Sequence, residues 1–448
     1  MPDPIISISG LRGIVGSELT PIVASNYAAA FCCQSPYGSI AMARDGRMSG
    51  PMLADAIAAT IVAHGRICLD LGVAATPTVG AYVRHSKAAG AIQISASHNP
   101  PPYNGMKLIG PDGRVLPGEP GTRVLEAYQR RSTDWRASDA LGSRTLVADP
   151  HACHLDLVLA TVDADAIRKR GFRVLLDCNH VAGSVLGVRL LEALGCDLEV
   201  LGGVSDGRFS HPPEPISENL TGVSPRVCKE GFDVGFCQDP DADRLAIIDE
   251  QGRFIGEEYT AVLCKMRALM IRKGPLVTNC ASSNMTKLLA DRFDVPFFRS
   301  KVGEANVVET MLLHGALYGG EGSGGPIDPR VGLIRDSFVG IAQLLDLMAA
   351  ANATVSSLVD QLPKLFMIKD KMSLSKEKLN ASISILESEL QADSISELDG
   401  IRLDWDGAWL LLRGSNTEPI VRLIAESGSE EHSRALIERA KTLIARCT

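Results

Sequence analysis

The stretch AIQISASHN, residues 91–99, joins a short apolar run to a loop of small polar residues. Such a run is typical of a buried strand that opens into a loop at its carboxyl end, where ligands of α/β sheets usually bind. VLLDCNHVAGS at residues 174–184 and LVTNCASSN at residues 276–284 have the same form, and helix-like segments follow both. These three stretches predict three related α/β units.

The end of the chain has a different pattern. IRLDWDGAWLLLR at residues 401–413 alternates apolar and polar side chains before Asp406-Gly407, which predicts a β-hairpin, and a helix is expected over 429–445. A chain of 448 residues is also too long for one ordinary core. The predicted division is four domains, at residues 1–148, 149–251, 252–362 and 363–448.

Composition and charge exclude several function classes. The chain has 45% hydrophobic and 22% charged residues and a formal net charge of −8, which disfavours a general nucleic-acid binder. It contains no run of about 18 apolar residues, so a membrane-spanning helix is not expected. The first residues carry no positive charge before a short apolar stretch, so a signal peptide is not expected either. The 11 cysteines include no C-x-x-C pair, which predicts reduced thiols and a cytoplasmic location.

QDPDADR, residues 238–244, places Asp239, Asp241 and Asp243 at alternate positions between two predicted strands. On an extended backbone these carboxylates point the same way and repel one another, and a divalent cation relieves that repulsion. Oxygen ligands of this kind favour Mg²⁺. A calcium-binding EF-hand is excluded, because Arg244 stands where that loop needs glycine and because the flanks are strands. The alternative is a solvated acidic turn, which the flanking strands disfavour.

Ser97 lies just beyond the predicted strand that ends at Ser95. Its neighbours Ala96 and His98 do not form the G-x-S-x-G turn of many hydrolases. Adjacent side chains usually diverge, so we expect His98 to be poorly placed to accept the Ser97 proton. A phosphorylated serine is a different group, because beside a cation and basic side chains it can donate and accept a phosphoryl group. The alternative is a turn in which Ser97 and Asn99 satisfy the loop backbone.

Two later stretches are candidates for binding the rest of a ligand. RGSNTEPIVR at residues 413–422 sets hydroxyl and amide groups between two arginines, which suits a phosphate, with a capped turn between strands as the alternative. YGGEGSGGP at residues 318–326 has five glycines that let backbone approach a ligand, and Glu321 and Ser323 could bind sugar hydroxyls. A flexible turn is the alternative there. The motifs SGLRG and RDGR add arginines near loops, with surface solvation as the plain interpretation.

Taken in order, the motifs resemble those of the α-D-phosphohexomutase family over essentially the whole chain. SASHNPPPYNGMK is similar to the family's phosphoserine loop, DPDADR to its metal loop, GGEGSGG to its sugar loop and RGSNTEPIVR to its phosphate-binding loop. The resemblance implies an α/β fold with four domains around a central cleft, three of them related α/β domains with mixed sheets and the last an α+β domain. It also implies that a phosphoserine donates to a hexose phosphate and regains phosphate from the other position of a hexose bisphosphate.

The same resemblance implies roles for individual residues. The phosphoryl group would be carried by Ser97, and one Mg²⁺ would be held by that phosphate together with Asp239, Asp241 and Asp243. Groups that assist proton transfer or stabilise charge would be Arg12, His98 and Lys107. The metal loop or the phosphoserine would be steadied by Arg244. Sugar hydroxyls and the non-transferring phosphate would be bound by Glu321, Ser323, Arg413, Ser415, Asn416, Thr417 and Arg422.

Three positions depart from the family's common pattern. Pro240 and Asn416 stand where glycine is common, and Gly325 stands where many sugar loops have histidine. With these variants the motifs look most like the subgroup called phosphoglucosamine mutase, and phosphomannomutase or phosphoglucomutase is the alternative. A sugar-phosphate phosphatase and a non-catalytic sugar-phosphate sensor are alternatives of a different class. The expected partner is a hexose phosphate, bound by a monomer or homodimer, without nucleic acid or membrane.

Overall fold

The first domain is built on a seven-stranded sheet. The computed structural model describes residues 4–7, 10–374, 376–414 and 420–446. The elements of this domain are β1 (Ile5–Ser7), β2 (Gly10–Ile14), α1 (Pro21–Gln34), β3 (Ile40–Arg44), α2 (Gly50–Ala63), β4 (Ile67–Val73), α3 (Thr76–Ser86), β5 (Gly90–Ile94), β6 (Tyr103–Ile109), α4 (Gly118–Gln129) and β7 (Ser143–Leu146). The strand order is β1-β2-β6-β5-β3-β4-β7.

The second domain has a four-stranded sheet in the order β11-β10-β8-β9. Its elements are α5 (Ala152–Leu159), α6 (Ala164–Arg170), β8 (Arg173–Asp177), α7 (Gly183–Ala193), β9 (Asp197–Leu201), α8 (Ser224–Lys229), β10 (Val234–Gln238) and β11 (Leu245–Asp249). The third domain contains α9 (Glu257–Ile271), β12 (Leu276–Asn279), α10 (Met285–Phe293), β13 (Phe297–Ser300), α11 (Glu304–His314), β14 (Gly319–Glu321), β15 (Gly325–Ile327), α12 (Ser337–Ala351) and α13 (Val355–Val359).

The first three domains share one strand arrangement. In the first domain β3 is parallel to β4 on one side and to β5 on the other, and β6 is antiparallel to β5. The second domain repeats this with β8, β9, β10 and β11. In the third domain β12 pairs with β13, a parallel bridge joins Leu276 to Tyr318, and β14 pairs with β15. The predicted relation between three α/β units with mixed sheets is confirmed, while the expected domain boundaries stay a prediction.

The strands that precede the predicted site loops are fully buried. Every residue of β5, β10 and β12 is buried. Parallel strands with both faces covered read as continuous apolar runs, which explains why AIQIS and LVTN lack the alternation of a half-exposed strand. The loops that leave these strands therefore start from rigid positions.

The fourth domain has an antiparallel five-stranded sheet in the order β16-β20-β19-β18-β17. Its elements are β16 (Phe366–Ser373), α14 (Lys376–Glu389), β17 (Ser394–Ser396), β18 (Ile401–Trp405), β19 (Ala408–Gly414), β20 (Ile420–Ser427) and α15 (Glu430–Ala445). Trp405 pairs with Ala408 across the predicted turn, and Gly407 has a φ of 72°, which confirms the hairpin. Ser429 caps α15 by accepting a hydrogen bond from His432 N.

The second and third domains share one apolar core. Val174 and Leu245 of the second domain pack with Phe338 and Leu344 of α12, and each is at most 1% exposed. The first and fourth domains have separate cores. A small apolar cluster joins Cys280 of the third domain to Trp409 and Ile424 of the fourth. In the described part of the chain, every helix is too short or too polar to cross a membrane.

Candidate active site

Ser97 lies in the loop after β5 with a left-handed backbone, φ 51°. Its N–H donates to Ser95 Oγ at 2.8 Å, and the residue is 1% exposed. A non-glycine residue adopts this conformation only when its surroundings hold it there. The conformation places the Ser97 hydroxyl against the second domain, where Oγ donates to Asp239 Oδ2 at 3.1 Å.

His98 lies closer to the serine than expected. Its Nδ1 is 3.2 Å from Ser97 Oγ, so the prediction that the two side chains diverge was wrong. The reason is the left-handed backbone of Ser97, which breaks the alternation of side chains along an extended segment. Burial, assisted by the positive charges of Arg244 and Arg12, lowers the pKa of His98 to about 2. The imidazole is therefore neutral at physiological pH.

Arg47 is 2% exposed and donates hydrogen bonds to the loop that contains Ser97, residues 97–103. Its Nε donates to Asp45 Oδ2 at 3.0 Å. Nη2 donates to the carbonyl oxygens of Ser97 and Asn99 at 2.6 Å each, and Nη1 donates to those of Pro100 and Tyr103 at 3.0 Å each. The interpretation of RDGR as a solvated surface motif was wrong for this arginine, because its side chain is buried and its planar fork donates to four carbonyl groups of the serine loop.

We expect Arg47→Lys to lower the thermal unfolding midpoint by about 5–10 °C, since an ammonium cannot replace five hydrogen bonds of a buried fork. Arg44→Lys is the control, because Arg44 belongs to the same motif but is only half-buried. Differential scanning calorimetry of both variants measures the effect. Equal, small shifts in the two variants would contradict the structural role of Arg47.

The acidic triad lies between β10 and β11. Asp239, Asp241 and Asp243 are each 0% exposed, and one oxygen from each lies within 4.8 Å of the others. Asp239 Oδ1 accepts hydrogen bonds from the N–H groups of Asp243 and Arg244 at 3.1 Å each. These bonds fold the loop on itself, with Ala242 in a left-handed conformation at φ 52°. The solvated acidic turn is therefore ruled out.

In two members of the triad, Asp241 and Asp243, one carboxylate oxygen accepts hydrogen bonds from neighbouring cations or a hydroxyl group. Lys107 Nζ donates to Asp241 Oδ2 at 2.5 Å and to Asp243 Oδ2 at 2.8 Å. The Thr76 hydroxyl also donates to Asp241 Oδ2, and Arg335 Nη2 donates to Asp243 Oδ2 at 2.7 Å. Within the described ranges, Oδ1 of both aspartates is buried without a hydrogen-bond partner. Buried carboxylate oxygens of this kind can coordinate a divalent cation, so the triad could hold a metal ion.

The pKa values of Asp239 and Asp243 are shifted in opposite directions. Burial, together with Asp243 and Asp241, raises the pKa of Asp239 well above its ordinary value. Burial also acts to raise the pKa of Asp243, but Arg335, Lys107 and Arg244 outweigh it and lower that pKa. The charged form of Asp239, which faces Ser97, is thus disfavoured, and a bound cation would stabilise it.

Arg12 and Arg244 both lie near the serine loop and the acidic triad. Arg12 belongs to β2, and its Nη1 donates to Asn99 Oδ1 at 3.1 Å. Arg244 Nε lies 3.9 Å from Asp243 Oδ1, and its Nη1 lies 3.8 Å from Glu214 Oε1. The structure therefore brings both arginines to the cluster that contains Ser97 and the triad.

The sugar loop forms the turn between β14 and β15. Glu321, 7% exposed, accepts hydrogen bonds at Oε1 from Asn279 Nδ2 at 2.8 Å and from Gly303 N at 3.1 Å. Its Oε2 lies 3.1 Å from Arg335 Nη1. Ser323 is half-buried in the turn. Through Arg335, the sugar loop is in contact with the acidic triad.

The predicted phosphate-binding stretch is described only in part. Arg413 is the next-to-last residue of β19, and its Nε donates to Asp399 Oδ2 at 3.1 Å. Arg422 is exposed in β20 and is the register partner of Arg413 in the adjacent strand. The three remaining predicted residues lie outside the described residues: Ser415, Asn416 and Thr417. The roles predicted for this stretch stay a prediction.

Comparison with known proteins gives the identity of the fold. Models of the phosphoglucomutase/phosphomannomutase family match in order, with alpha/beta/alpha domain I at residues 5–134, domain II at 152–252, domain III at 256–366 and the C-terminal domain at 368–442. A phosphoglucomutase/phosphomannomutase of Thermococcus kodakarensis is 34% identical over 442 residues, which cover 96% of each chain. This chain belongs to the phosphoglucomutase/phosphomannomutase family.

Two further comparisons agree with the phosphoglucomutase/phosphomannomutase assignment. A probable phosphoglucosamine mutase of Methanothermobacter thermautotrophicus is 33% identical over 450 residues, covering 98% of this chain and 97% of its own. A crystal structure of a phosphoglucomutase/phosphomannomutase family protein from Burkholderia thailandensis superposes with a TM-score of 0.87 at 24% identity, over 98% of this chain and 97% of that one. The four-domain fold and the α-D-phosphohexomutase resemblance are confirmed. The chain is an enzyme, a phosphohexomutase of the isomerase class.

Several residues of this phosphoglucomutase/phosphomannomutase family member contact the site but were not predicted as site residues, among them Arg47, Thr76 and Arg335. RDGR signalled Arg47 only as an arginine near a loop. Thr76 begins α3, and Arg335 directly precedes the helix cap Asp336. Neither position lies in a glycine-rich or acidic motif, so the sequence analysis had no signal for either residue.

Proposed function

We propose that this phosphohexomutase interconverts the 6- and 1-phosphates of glucosamine, with Ser97 as the phosphate carrier. The observation that carries the proposal is the Ser97 hydroxyl, 1% exposed and 3.1 Å from Asp239 Oδ2 at the acidic triad. A phosphoryl group on that oxygen would lie between the triad and the cations of the cleft. Phosphoryl transfer depends on such positioning and charge stabilisation more than on covalent chemistry.

Mg²⁺ is the metal that this donor set fits. The three triad carboxylates would hold it together with an oxygen of the Ser97 phosphate, which matches the preference of Mg²⁺ for carboxylates and phosphates. When bound, the ion would offset negative charge on the phosphoryl oxygens. The two buried carboxylate oxygens without hydrogen-bond partners in the described part of the triad, Oδ1 of Asp241 and of Asp243, support this assignment.

The first transfer breaks the bond between phosphorus and Ser97 Oγ and forms a bond between phosphorus and a free hydroxyl of the sugar phosphate. The sugar hydroxyl loses a proton and Ser97 Oγ regains one, so the protein returns to the same protonation state. His98 lies 3.2 Å from Oγ, but burial and the nearby arginines lower the pKa of its ring to about 2, so the ring can form a hydrogen bond with Oγ without holding the proton. The second transfer returns phosphorus to Ser97 from the other end of the bisphosphate and reverses the proton movement.

Lys107 and Arg12 supply positive charge in this scheme. Burial acts to lower the pKa of Lys107, but Asp241 and Asp243 raise it above its ordinary value. The ammonium group therefore keeps its protons at neutral pH and does not act as a base. Burial lowers the pKa of Arg12, yet a guanidinium remains charged under all physiological conditions.

The far side of the cleft would bind the sugar and its second phosphate. Glu321 and Ser323 would contact sugar hydroxyls, and Arg244 would steady the loop beside the phosphoserine. The non-transferring phosphate would be bound by Arg413, Ser415, Asn416, Thr417 and Arg422. A clamp that recognises phosphate rather than the carbon bearing it would accept both ends of the bisphosphate intermediate, which could reorient between the two transfers.

Glucosamine phosphate is the preferred substrate in this proposal for two reasons. The variant residues Pro240, Gly325 and Asn416 make the motifs resemble those of phosphoglucosamine mutases, and the Methanothermobacter relative is named a probable phosphoglucosamine mutase. We expect its kcat/KM to exceed those of glucose and mannose phosphates by about tenfold or more. ³¹P NMR of reactions started from each 1- and 6-phosphate measures both products directly. A higher kcat/KM for glucose or mannose phosphate would overturn the sugar assignment, and faster release of inorganic phosphate than of isomer would indicate a phosphatase.

A further inference from the structure

The sugar loop ends in Gly325 where many family members have histidine, and another residue fills the space. A Cβ atom built on Gly325 would lie 2.4 Å from Cδ and 2.8 Å from Cγ of Arg335. The Arg335 side chain is 11% exposed and runs directly beside the loop. Gly325 has a backbone conformation that any residue can adopt, so the glycine is required by space and not by φ.

Arg335 joins three carboxylates from three different segments. Its Nη2 donates to Asp243 Oδ2 at 2.7 Å, Nε donates to Glu304 Oε2 at 2.9 Å, and Nη1 lies 3.1 Å from Glu321 Oε2. Its backbone N–H also donates to Glu304 Oε1 at 3.2 Å. The metal loop, the start of α11 and the sugar loop thus share one guanidinium, whose planar fork can meet all three at once.

The contact with Asp243 selects one carboxylate oxygen. Lys107 and Arg335 both donate to Oδ2, at 2.8 and 2.7 Å, and Oδ1 is the oxygen left without a hydrogen-bond partner in the described chain. Two cations on a single oxygen fix the rotation of the carboxylate. Without Arg335, Lys107 would be the one remaining hydrogen-bond donor to Oδ2 among the described residues, with Arg244 at 3.9 Å from Oδ1.

The contact with Glu321 has the same effect on the sugar loop. Oε1 is held by Asn279 Nδ2 and Gly303 N, and Oε2 is held by Arg335. Three restraints on one carboxylate fix its plane relative to the cleft, and Arg335 provides the only one on Oε2 among the described residues.

We propose that Arg335 is a positioning residue that orients Asp243 toward the metal and Glu321 toward the sugar, and that glycine at position 325 exists to admit its side chain. The ion pairs run from Asp241 through Lys107, Asp243 and Arg335 to Glu321, which links the first three domains. This inference rests on the proposed roles of Asp243 and Glu321.

Removing the Arg335 side chain should weaken Mg²⁺ binding and sugar-phosphate binding together. For Arg335→Ala we expect the Kd for Mg²⁺, measured by calorimetry on the dephosphorylated protein, to rise about tenfold, and the KM for glucosamine 6-phosphate to rise about tenfold. Arg335→Lys keeps the positive charge but lacks the planar guanidinium group, and the same two measurements are made on it if the alanine variant fails to fold. Arg267→Ala and Arg267→Lys are matched controls, because Arg267, which is half-buried, forms an ion pair with the buried Asp346 in the third domain at 2.7 Å, outside the site.

A double-mutant cycle tests the spatial part of the proposal. Gly325→Ala should weaken Mg²⁺ and sugar binding in the parent but have a much smaller effect in Arg335→Ala, because Cγ and Cδ of Arg335 are then absent and only its Cβ, at 3.1 Å, remains near the added methyl group. Gly332→Ala, where a Cβ would meet only Ile334 at 3.4 Å, is the control. Additive effects, or parent-like Mg²⁺ binding and KM in both Arg335 variants, would overturn the inference. A parent that neither binds Mg²⁺ nor interconverts the phosphates would instead overturn the proposed function.

Discussion

Ser97→Ala is expected to lose the protein-bound phosphate and to lower kcat by about 10⁴-fold or more, since no other group can take over a covalent carrier. Ser97 Oγ is the hydroxyl that faces Asp239 at 3.1 Å, and the left-handed loop holds it there. Intact-mass spectrometry after incubation with a hexose 1,6-bisphosphate measures the phosphate. The parent should gain the mass of one phosphoryl group, and the variant should gain none.

The control for this variant is Ser95→Ala. Ser95 lies two residues away and its Oγ accepts the hydrogen bond from Ser97 N, so its loss disturbs the loop without removing the carrier. We expect that variant to keep the phosphate and to lose only part of its activity. Mutase activity that persists in Ser97→Ala would refute the phosphoserine mechanism, whatever the mass of the parent.

The fold could be read from the sequence because its signals are local. A buried parallel strand is a continuous apolar run, and three such runs with polar loops predicted three domains with the same strand arrangement. The hairpin at Asp406-Gly407 was equally local, because the turn chemistry and the alternation around it lie within thirteen residues, 401–413.

The site was only partly predictable, because its contacts cross domains. The acidic triad and Lys107 were found as motifs, but the Lys107–Asp243 contact joins residues 136 positions apart and the Arg335–Asp243 contact joins residues 92 positions apart. Such pairs depend on how whole domains pack, which no local pattern encodes. Arg47 was misinterpreted for the same reason, since its burial depends on a loop about 50 residues later.

The position of His98 illustrates a further limit. Sequence alone gives no reason for Ser97 to adopt a positive φ, because serine has no intrinsic preference for that region. A tertiary contact from Arg47 and a local hydrogen bond to Ser95 hold it there, and the His98 ring consequently lies beside the hydroxyl from which it was expected to diverge. Strained backbone of this kind is found at functional sites, where the surrounding structure holds it in place.

Lys107→Met is expected to lower kcat by about 10²–10³-fold and to make the stability of the fold depend on metal. Lys107 Nζ contacts Asp241 and Asp243 at 2.5 and 2.8 Å, and both aspartates are 0% exposed. Removing one partner of a buried ion pair leaves uncompensated charge, which costs about 3–5 kcal/mol. In EDTA the thermal midpoint should therefore fall by several degrees, and Mg²⁺ should recover much of the loss by balancing the same carboxylates.

Lys265→Met is the control for the Mg²⁺-dependent loss of stability expected in Lys107→Met, because it also removes a buried lysine but one outside the acidic triad. Lys265 is 1% exposed, but its Nζ donates to the Thr286 hydroxyl at 3.2 Å, and burial lowers its pKa to about 8. Its charged form is disfavoured in the fold, so replacing it removes a cost and should leave the thermal midpoint nearly unchanged with or without Mg²⁺. If Lys107→Met shows the same insensitivity to Mg²⁺ as Lys265→Met, the triad does not bind the ion and the charge-balancing role of Lys107 is wrong.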